Sequence, residues 1–183
     1  ESGQFLFPGT GNVRESGRDV GHGYSVNVPL SPYTSDAAYL DAFDAVVPPL
    51  VEAFKPDVVF TQLGVDTHFL DPITHLQLTV QGHAAVVRRL RELASDNGRW
   101  LAVGGGGYDL GAVARAWTVD LAIMAGVTLP ADLPALVPES PTVTTYADDP
   151  EASEEMVEMQ VRAFNERSVA QVHEEIFPHF GLT

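Results

Sequence analysis

An α/β fold built on a parallel sheet is the architecture this sequence predicts, and three observations predict it. Residues 57–62 and 100–103 are short apolar runs of strand length. Between them, Val86, Leu90 and Leu93 recur at helical spacing. Each run also ends in a loop with one reactive side chain, Asp66 after the first and Tyr108 after the second. Strand, helix, strand is the parallel crossover unit. Loops leaving the carboxyl ends of such strands line the ligand crevice, so Asp66 and Tyr108 are expected in one cleft.

In chain order, residues 24–28 read as a strand and 30–35 as a proline-containing turn. A helix is expected from Ser35, a residue suited to capping, with Leu40, Phe43, Val47, Leu50, Val51 and Phe54 on its apolar face. Pro48 and Pro49 should kink or restart it, because proline lacks the amide that closes a helical turn. A buried strand over 57–62 follows, then a helix over 80–94. Next come the strand at 100–103 and a helix over 111–125 whose face is Val113, Trp117 and Leu121. The proline-rich stretch that includes Pro130 and Pro150 reads as an irregular connection. A last amphipathic helix over 151–176 carries Val157, Val161, Phe164, Val172 and Ile176. No internal repeat is visible.

A chain of 183 residues suits one domain with a proper core. With 45% apolar and 19% charged residues, it has the balance of a globular protein. No apolar stretch approaches ~18 residues, so no membrane span is expected, and a cytoplasmic location is. The absence of cysteine removes disulfides, thiolate metal sites and thiol nucleophiles together, leaving Asp, Glu and His to hold any metal. With 25 acidic and 10 basic residues, the net charge of -15 repels a phosphate backbone, so nucleic acid is not an expected partner. The first residue is Glu, and no start or signal segment precedes the Phe-Leu-Phe-Pro-Gly-Thr-Gly run at 5–11, so the chain is expected to begin within a longer protein.

Four glycines at 104–107 invite a phosphate-loop reading. The spacing opposes it: no G-x-G-x-x-G fits, and no Gly-Lys-Ser/Thr follows. A tight turn explains the glycines alone, but the adjacent Tyr108 adds a phenol beside positions that leave room for a substrate. Asp66 has two readings, a turn or cap former and a ligand. His68, two residues on, could join it on one ion, although D-x-H triplets arise often by chance. His75 and His83 are expected to make local hydrogen bonds, and His173 and His179 to be exposed.

The ordered segments Phe7-Pro8-Gly9-Thr10-Gly11, Tyr24 to Pro29, Gln62 to Thr67 with Asp71-Pro72, Leu78-Thr79 before Gly82-His83, Gly104 to Tyr108, and Val113 to Thr118 carry a resemblance. Together they resemble the zinc-dependent deacetylase family that contains class I histone deacetylases, acetylpolyamine amidohydrolases and bacterial acetoin-utilisation proteins, the last branch being the nearest. The resemblance covers about residues 1–126. It implies an arginase/deacetylase-like architecture, a three-layer parallel sheet flanked by helices, incomplete on the N-terminal side. Residues 1–126 would be the C-terminal half of a deacetylase domain, 127–150 the proline-rich connection and 151–183 a C-terminal helical extension.

The resemblance also implies roles. The family's zinc is held by two Asp and one His, polarises an acetamide carbonyl and activates water. Asp66 matches the second Asp ligand, and Tyr108 matches the tyrosine that donates to the developing oxyanion. Phe7 matches an aromatic wall of the acyl-lysine tunnel, Ile73 its rim and Gly106 its floor. Tyr24 matches a residue whose backbone carbonyl helps hold a structural monovalent cation such as K+. In the family the residue two after the ligand Asp is not a ligand, which counts against His68. The expected substrate is an acetylated amine such as acetyl-lysine.

One departure is large. The family's His-His acid-base pair and its Asp-x-His ligand segment lie upstream of the Phe-Pro-Gly-Thr-Gly motif, and no histidine precedes His22 here. The chain by itself is therefore expected to be inactive, its full-length parent being the zinc-dependent deacetylase. Two rivals stand beside this reading: a non-catalytic fragment or binding module, and a dimanganese ureohydrolase. The latter needs several Asp-rich ligand segments, where only Asp66 is available.

Overall fold

Two parallel strands, β1 (Val59–Leu63) and β2 (Trp100–Gly104), pair in register from Val59 opposite Trp100 to Leu63 opposite Gly104. The computed structural model describes residues 1–95, 98–130, 145–151 and 153–183. Residues 131–144 of the predicted proline-rich connection lie outside the described set. Helix α2 (Val80–Ser95) crosses from β1 to β2, and α3 (Leu110–Ala125) follows β2. Strand side chains alternate between faces, so Thr61 and Leu63 with Trp100 and Ala102 lie on one side. On that side Leu63 packs with Ala84 and Val87 of α2 and Ile123 of α3. The Trp100 indole N–H donates to Thr61 Oγ1 at 2.9 Å, and the Trp117 indole N–H donates to the Leu63 carbonyl at 2.8 Å.

Among the described residues the opposite side of the sheet is uncovered: Phe60, Leu101 and Val103 are 63%, 53% and 43% exposed. Helices thus cover one face of a parallel sheet, an incomplete α/β sandwich.

Helix α1 (Asp36–Phe54) continues through Pro48 and Pro49 as one element, so the prolines do not restart it. Pro49 cannot donate to the carbonyl four residues back, at Ala45. His173 Nε2 donates to that carbonyl instead, at 3.0 Å. This contact also corrects the expected exposure of His173, which is half-buried. Ser35 occupies the N-cap position without a side-chain capping bond. The Asp36 carboxylate instead accepts from the amide (2.8 Å) and hydroxyl (2.6 Å) of Thr79, joining the start of α1 to the start of α2.

Helix α4 (Glu155–Glu175), shorter at its start than predicted, packs Val172 with Ile176 and Phe177 against Val13, Val46 and Leu50. The tail therefore shares a core with the amino-terminal residues.

Residues 24–28 form no strand. The amides of Gly23 and Ser25 both donate to the Ser16 carbonyl, and the Asn27 side chain donates to the carbonyls of Asn12 and Glu15. The segment is thus held by loop contacts to residues 12–16. Helix faces are also rotated from expectation. In α1, Ala38, Ala42, Val46 and Leu50 are buried, with only Leu50 shared. In α3 the expected Val113 and Trp117 do reach the core and the sheet, but Leu121 is exposed and Ala112, Ala116 and Ile123 are the buried positions, because alanines allow the helix to lie close to the sheet and to α2. In α2, Val87 is the fully buried valine, one position from the predicted Val86.

Candidate active site

The loops leaving β1 and β2 meet at the carboxyl end of the sheet. The Val65 amide donates to the Gly106 carbonyl at 2.6 Å, continuing the strand pairing past both strand ends. The glycine run is required mainly by close approach. A Cβ at Gly104 would lie 2.8 Å from the Trp117 ring; one at Gly105 would overlap the Gln62 amide, and one at Gly106 the Asp66 carboxylate. Among the four, only Gly107 has positive φ (+137°), and a Cβ there would meet Val113 at 2.7 Å. The turn reading thus holds for Gly107, and the room left by Gly105 and Gly106 belongs to Gln62 and Asp66.

Asp66 sits in a turn closed by the His68 amide donating to the Val65 carbonyl at 3.0 Å, while the Thr74 hydroxyl donates to the Asp66 carbonyl. A second turn follows, closed by the Asp71 amide donating to the His68 carbonyl at 2.8 Å. The buried Asp71 carboxylate accepts from the amides of Ile73 (2.9 Å) and Thr74 (3.2 Å) through one oxygen. Through the other it accepts from the Tyr108 amide at 2.9 Å. Asp71 therefore fixes the tyrosine loop to the aspartate loop. Asp109 then starts α3 by accepting from the Ala112 amide at 2.7 Å. The Tyr108 side chain remains exposed.

Of the predicted site residues, Asp66, Gly106, Tyr108 and Ile73 are brought together here. Phe7 lies on the amino-terminal loop with its side chain almost fully exposed. Tyr24 packs edge-on against Phe54 and Phe180, by the chain segment that leads into β1, at the other end of the strand from Asp66.

His68 is buried and both ring nitrogens are engaged: Nδ1 accepts from the Leu70 amide (3.2 Å) and Nε2 donates to Asp148 (3.0 Å). A neutral imidazole held in this way has no lone pair left for a metal beside Asp66. His75 and His83 bond at long range rather than locally, His75 to Glu1 and His83 to Asp120 across α2 and α3 at 2.9 Å. His179 is exposed, as expected.

Sequence reasoning gave no role to Asp71, Tyr39 or Asp148. Asp71 stands in a quoted motif, five residues after Asp66, and its proximity was a usable signal. Tyr39 of α1 packs with Leu76 and Leu78, and burial, then the charge of Asp66, push its phenol above the ordinary range. Asp148 follows the proline-rich stretch and carried no motif. Burial alone would raise its carboxyl, but hydrogen bonds from His68, the Val80 amide and Arg115 outweigh that and hold it at about 2.

Among the described residues no three His, Asp or Glu side chains converge as a metal-binding group. Asp66 offers one carboxylate there, and the described residues do not complete a metal site around it. No described helix is long and apolar enough to cross a membrane.

A family model described as a histone deacetylase domain matches residues 1–124. "Acetoin utilization protein AcuC" of Staphylococcus aureus is 46% identical over 121 residues, covering 64% of this chain and 31% of that protein. The Bacillus subtilis protein of the same name is 43% identical over 120 residues, with the same coverage. The chain thus spans about a third of the length of these curated relatives. Among solved structures, an HDAC homolog complexed with SAHA superposes with a TM-score of 0.79 at 25% identity, over 93% of this chain and 48% of that one. The HDA15 HD domain gives 0.68 at 26% identity, over 96% and 42%.

Proposed function

On the premise that the chain belongs to the histone deacetylase domain family, we propose that it supplies the oxyanion side of a zinc-dependent deacylase site acting on an N-acetyl amide such as acetyl-lysine. The observation that carries this reading is the junction of the two strand-end loops, where the Asp66 carboxylate fills the space left by Gly106 and Asp71 ties in Tyr108. The names of the bacterial relatives link the activity to acetoin utilisation.

Asp66 would be one ligand of the zinc, with the others supplied from outside the described residues. Bound zinc would polarise the acyl carbonyl and lower the pKa of water. Tyr108, exposed and held by its backbone, would donate a hydrogen bond from its phenol to the oxygen that gains charge as the amide is attacked. Phe7 and Ile73, both exposed apolar side chains, would flank the acyl-amine chain, and Gly106, whose side-chain space the Asp66 carboxylate takes, would set that carboxylate at its floor. The Tyr24 backbone carbonyl would serve a structural K+. A net charge of -15 suits a cationic or neutral amine substrate over a nucleic acid.

The test is Asp66→Ala in the full-length polypeptide carrying this chain. Zinc content, measured after gel filtration, and hydrolysis of an acetyl-lysine peptide should be lost together. Full zinc content and turnover in that variant would refute the ligand assignment. The chain by itself, with one ligand, should hold no stoichiometric zinc and show no turnover.

A further inference from the structure

We infer that Asp148 is a positioning residue of the site, acting through His68 on the turns that present Asp66 and Asp71. Its carboxylate is buried and each oxygen is committed: one accepts from His68 Nε2 at 3.0 Å and from the Val80 amide at 2.8 Å, the other from Arg115 Nη1 at 2.7 Å. Its backbone is fixed as well. The Asp148 amide donates to Gln81 Oε1 (2.9 Å), and its carbonyl accepts from Gln81 Nε2 (2.8 Å). Arg115 further donates to the carbonyls of Tyr146 and Gly111. One carboxylate thus joins the loop after β1, the first turn of α2 and the first turns of α3.

The consequence for the site follows from where His68 stands. Its amide closes the turn holding Asp66, and its carbonyl closes the turn that delivers Asp71. Asp71 in turn holds the Tyr108 amide. A His68 ring released from Asp148 would take from both turns their side-chain tie to α2 and α3, leaving the Thr74 bond to Asp66 and the bridge from Thr67 and Phe69 to Leu78 to hold them. Asp148 lies outside residues 1–124, the span of the family model, so a segment beyond that span supports the ligand loop. Partners that orient ligands from behind typically matter by about 10-fold to 100-fold in activity or metal affinity.

The kinetic arm of the test rests on the deacylase reading above. In the full-length polypeptide, Asp148→Asn should lower kcat on an acetyl-lysine peptide by about 10-fold or more at unchanged KM. Hydrogen exchange should quicken at residues 65–71 and 104–109 while the rest of the chain stays protected. Asp148→Ala should do the same more strongly, and if it fails to fold, Asp148→Asn alone decides. Uniformly faster exchange with unchanged kcat per folded molecule would reduce Asp148 to a stability residue and overturn the inference. If the wild type hydrolyses no acetyl-lysine peptide, the deacylase reading fails. The exchange pattern still decides for Asp148, since unchanged protection at 65–71 in Asp148→Asn refutes its positioning role.

Discussion

The Asp71 carboxylate accepts the backbone amide of Tyr108 at 2.9 Å, while its other oxygen holds the amides of Ile73 and Thr74. Two loops from different strands are thereby set against each other by one buried side chain. An acidic side chain does this well, because an ionised carboxylate accepts several amide donors and offers none in competition.

Asp71→Ala should therefore free Tyr108 without touching its phenol. Leaving a buried donor unpaired costs about 1–3 kcal/mol, read as a fall in Tm of about 2–4 °C per kcal/mol for a chain of this size. In the full-length polypeptide kcat should drop as well, and Asp71→Asn, which keeps one acceptor oxygen, should lie between wild type and alanine in both measurements. Unchanged Tm and kcat in Asp71→Ala would show that the two loops are held by other contacts.

The glycine run allows a sharper separation of function from stability. Gly106→Ala adds a Cβ that overlaps the Asp66 carboxylate, a short movable side chain, at a position whose φ is not in the left-handed region. Stability should change little, while the displaced carboxylate lowers zinc content and reduces kcat by about 10², the effect of a misplacement near 1 Å. Gly105→Ala meets the Gln62 amide instead, and Gln62 is exposed, so it should retain zinc and most of the activity. Equal losses in the two variants would mean that the loop backbone, and not the Asp66 carboxylate, is what the new methyl group disturbs.

Much of this site was legible because strand-end chemistry is local. Asp66 and Tyr108 each follow an apolar run, and parallel pairing then brings the two loops together. The deepest helix contacts were hidden for a physical reason: in α3 Val113 and Trp117 do reach the core and the sheet, but Leu121 is exposed, and alanines, which pack closer, take the most buried positions. The unbroken α1 was hidden because its remedy comes from far away in sequence, His173 bonding Ala45. Asp148 was hidden likewise, since its partners His68, Val80 and Arg115 are brought to it only by the completed fold.

Acid should weaken the Asp148 clamp in a defined window. Its carboxyl stands at about 2 in the folded protein against 3.8 as the ordinary value, burial working against this shift and the bonds from His68, the Val80 amide and Arg115 prevailing. A folded value below the unfolded one stabilises fully above the unfolded value and is lost as pH falls through the folded one. Asp148→Asn carries no such titration. The Tm gap between wild type and Asp148→Asn should thus be constant from neutral pH to about pH 5 and close between about pH 4 and 2. A gap that persists unchanged at pH 2 would show that the charge of Asp148 contributes nothing to the clamp.

Tyr108→Phe separates binding from chemistry most directly. The phenyl ring keeps the shape of the site, and the backbone bond to Asp71 does not involve the hydroxyl, so the loop should stay in place. Zinc content and acetyl-lysine binding in the full-length polypeptide should be those of the wild type. A donor that meets the oxyanion only as charge develops acts on the transition state alone, and its loss typically lowers kcat by about 10² to 10³. Single-turnover kinetics with a binding measurement on the same peptide distinguishes the outcomes. A variant that keeps kcat and raises only KM would make Tyr108 a substrate-positioning residue, and the oxyanion role would have to pass to another donor in the cleft.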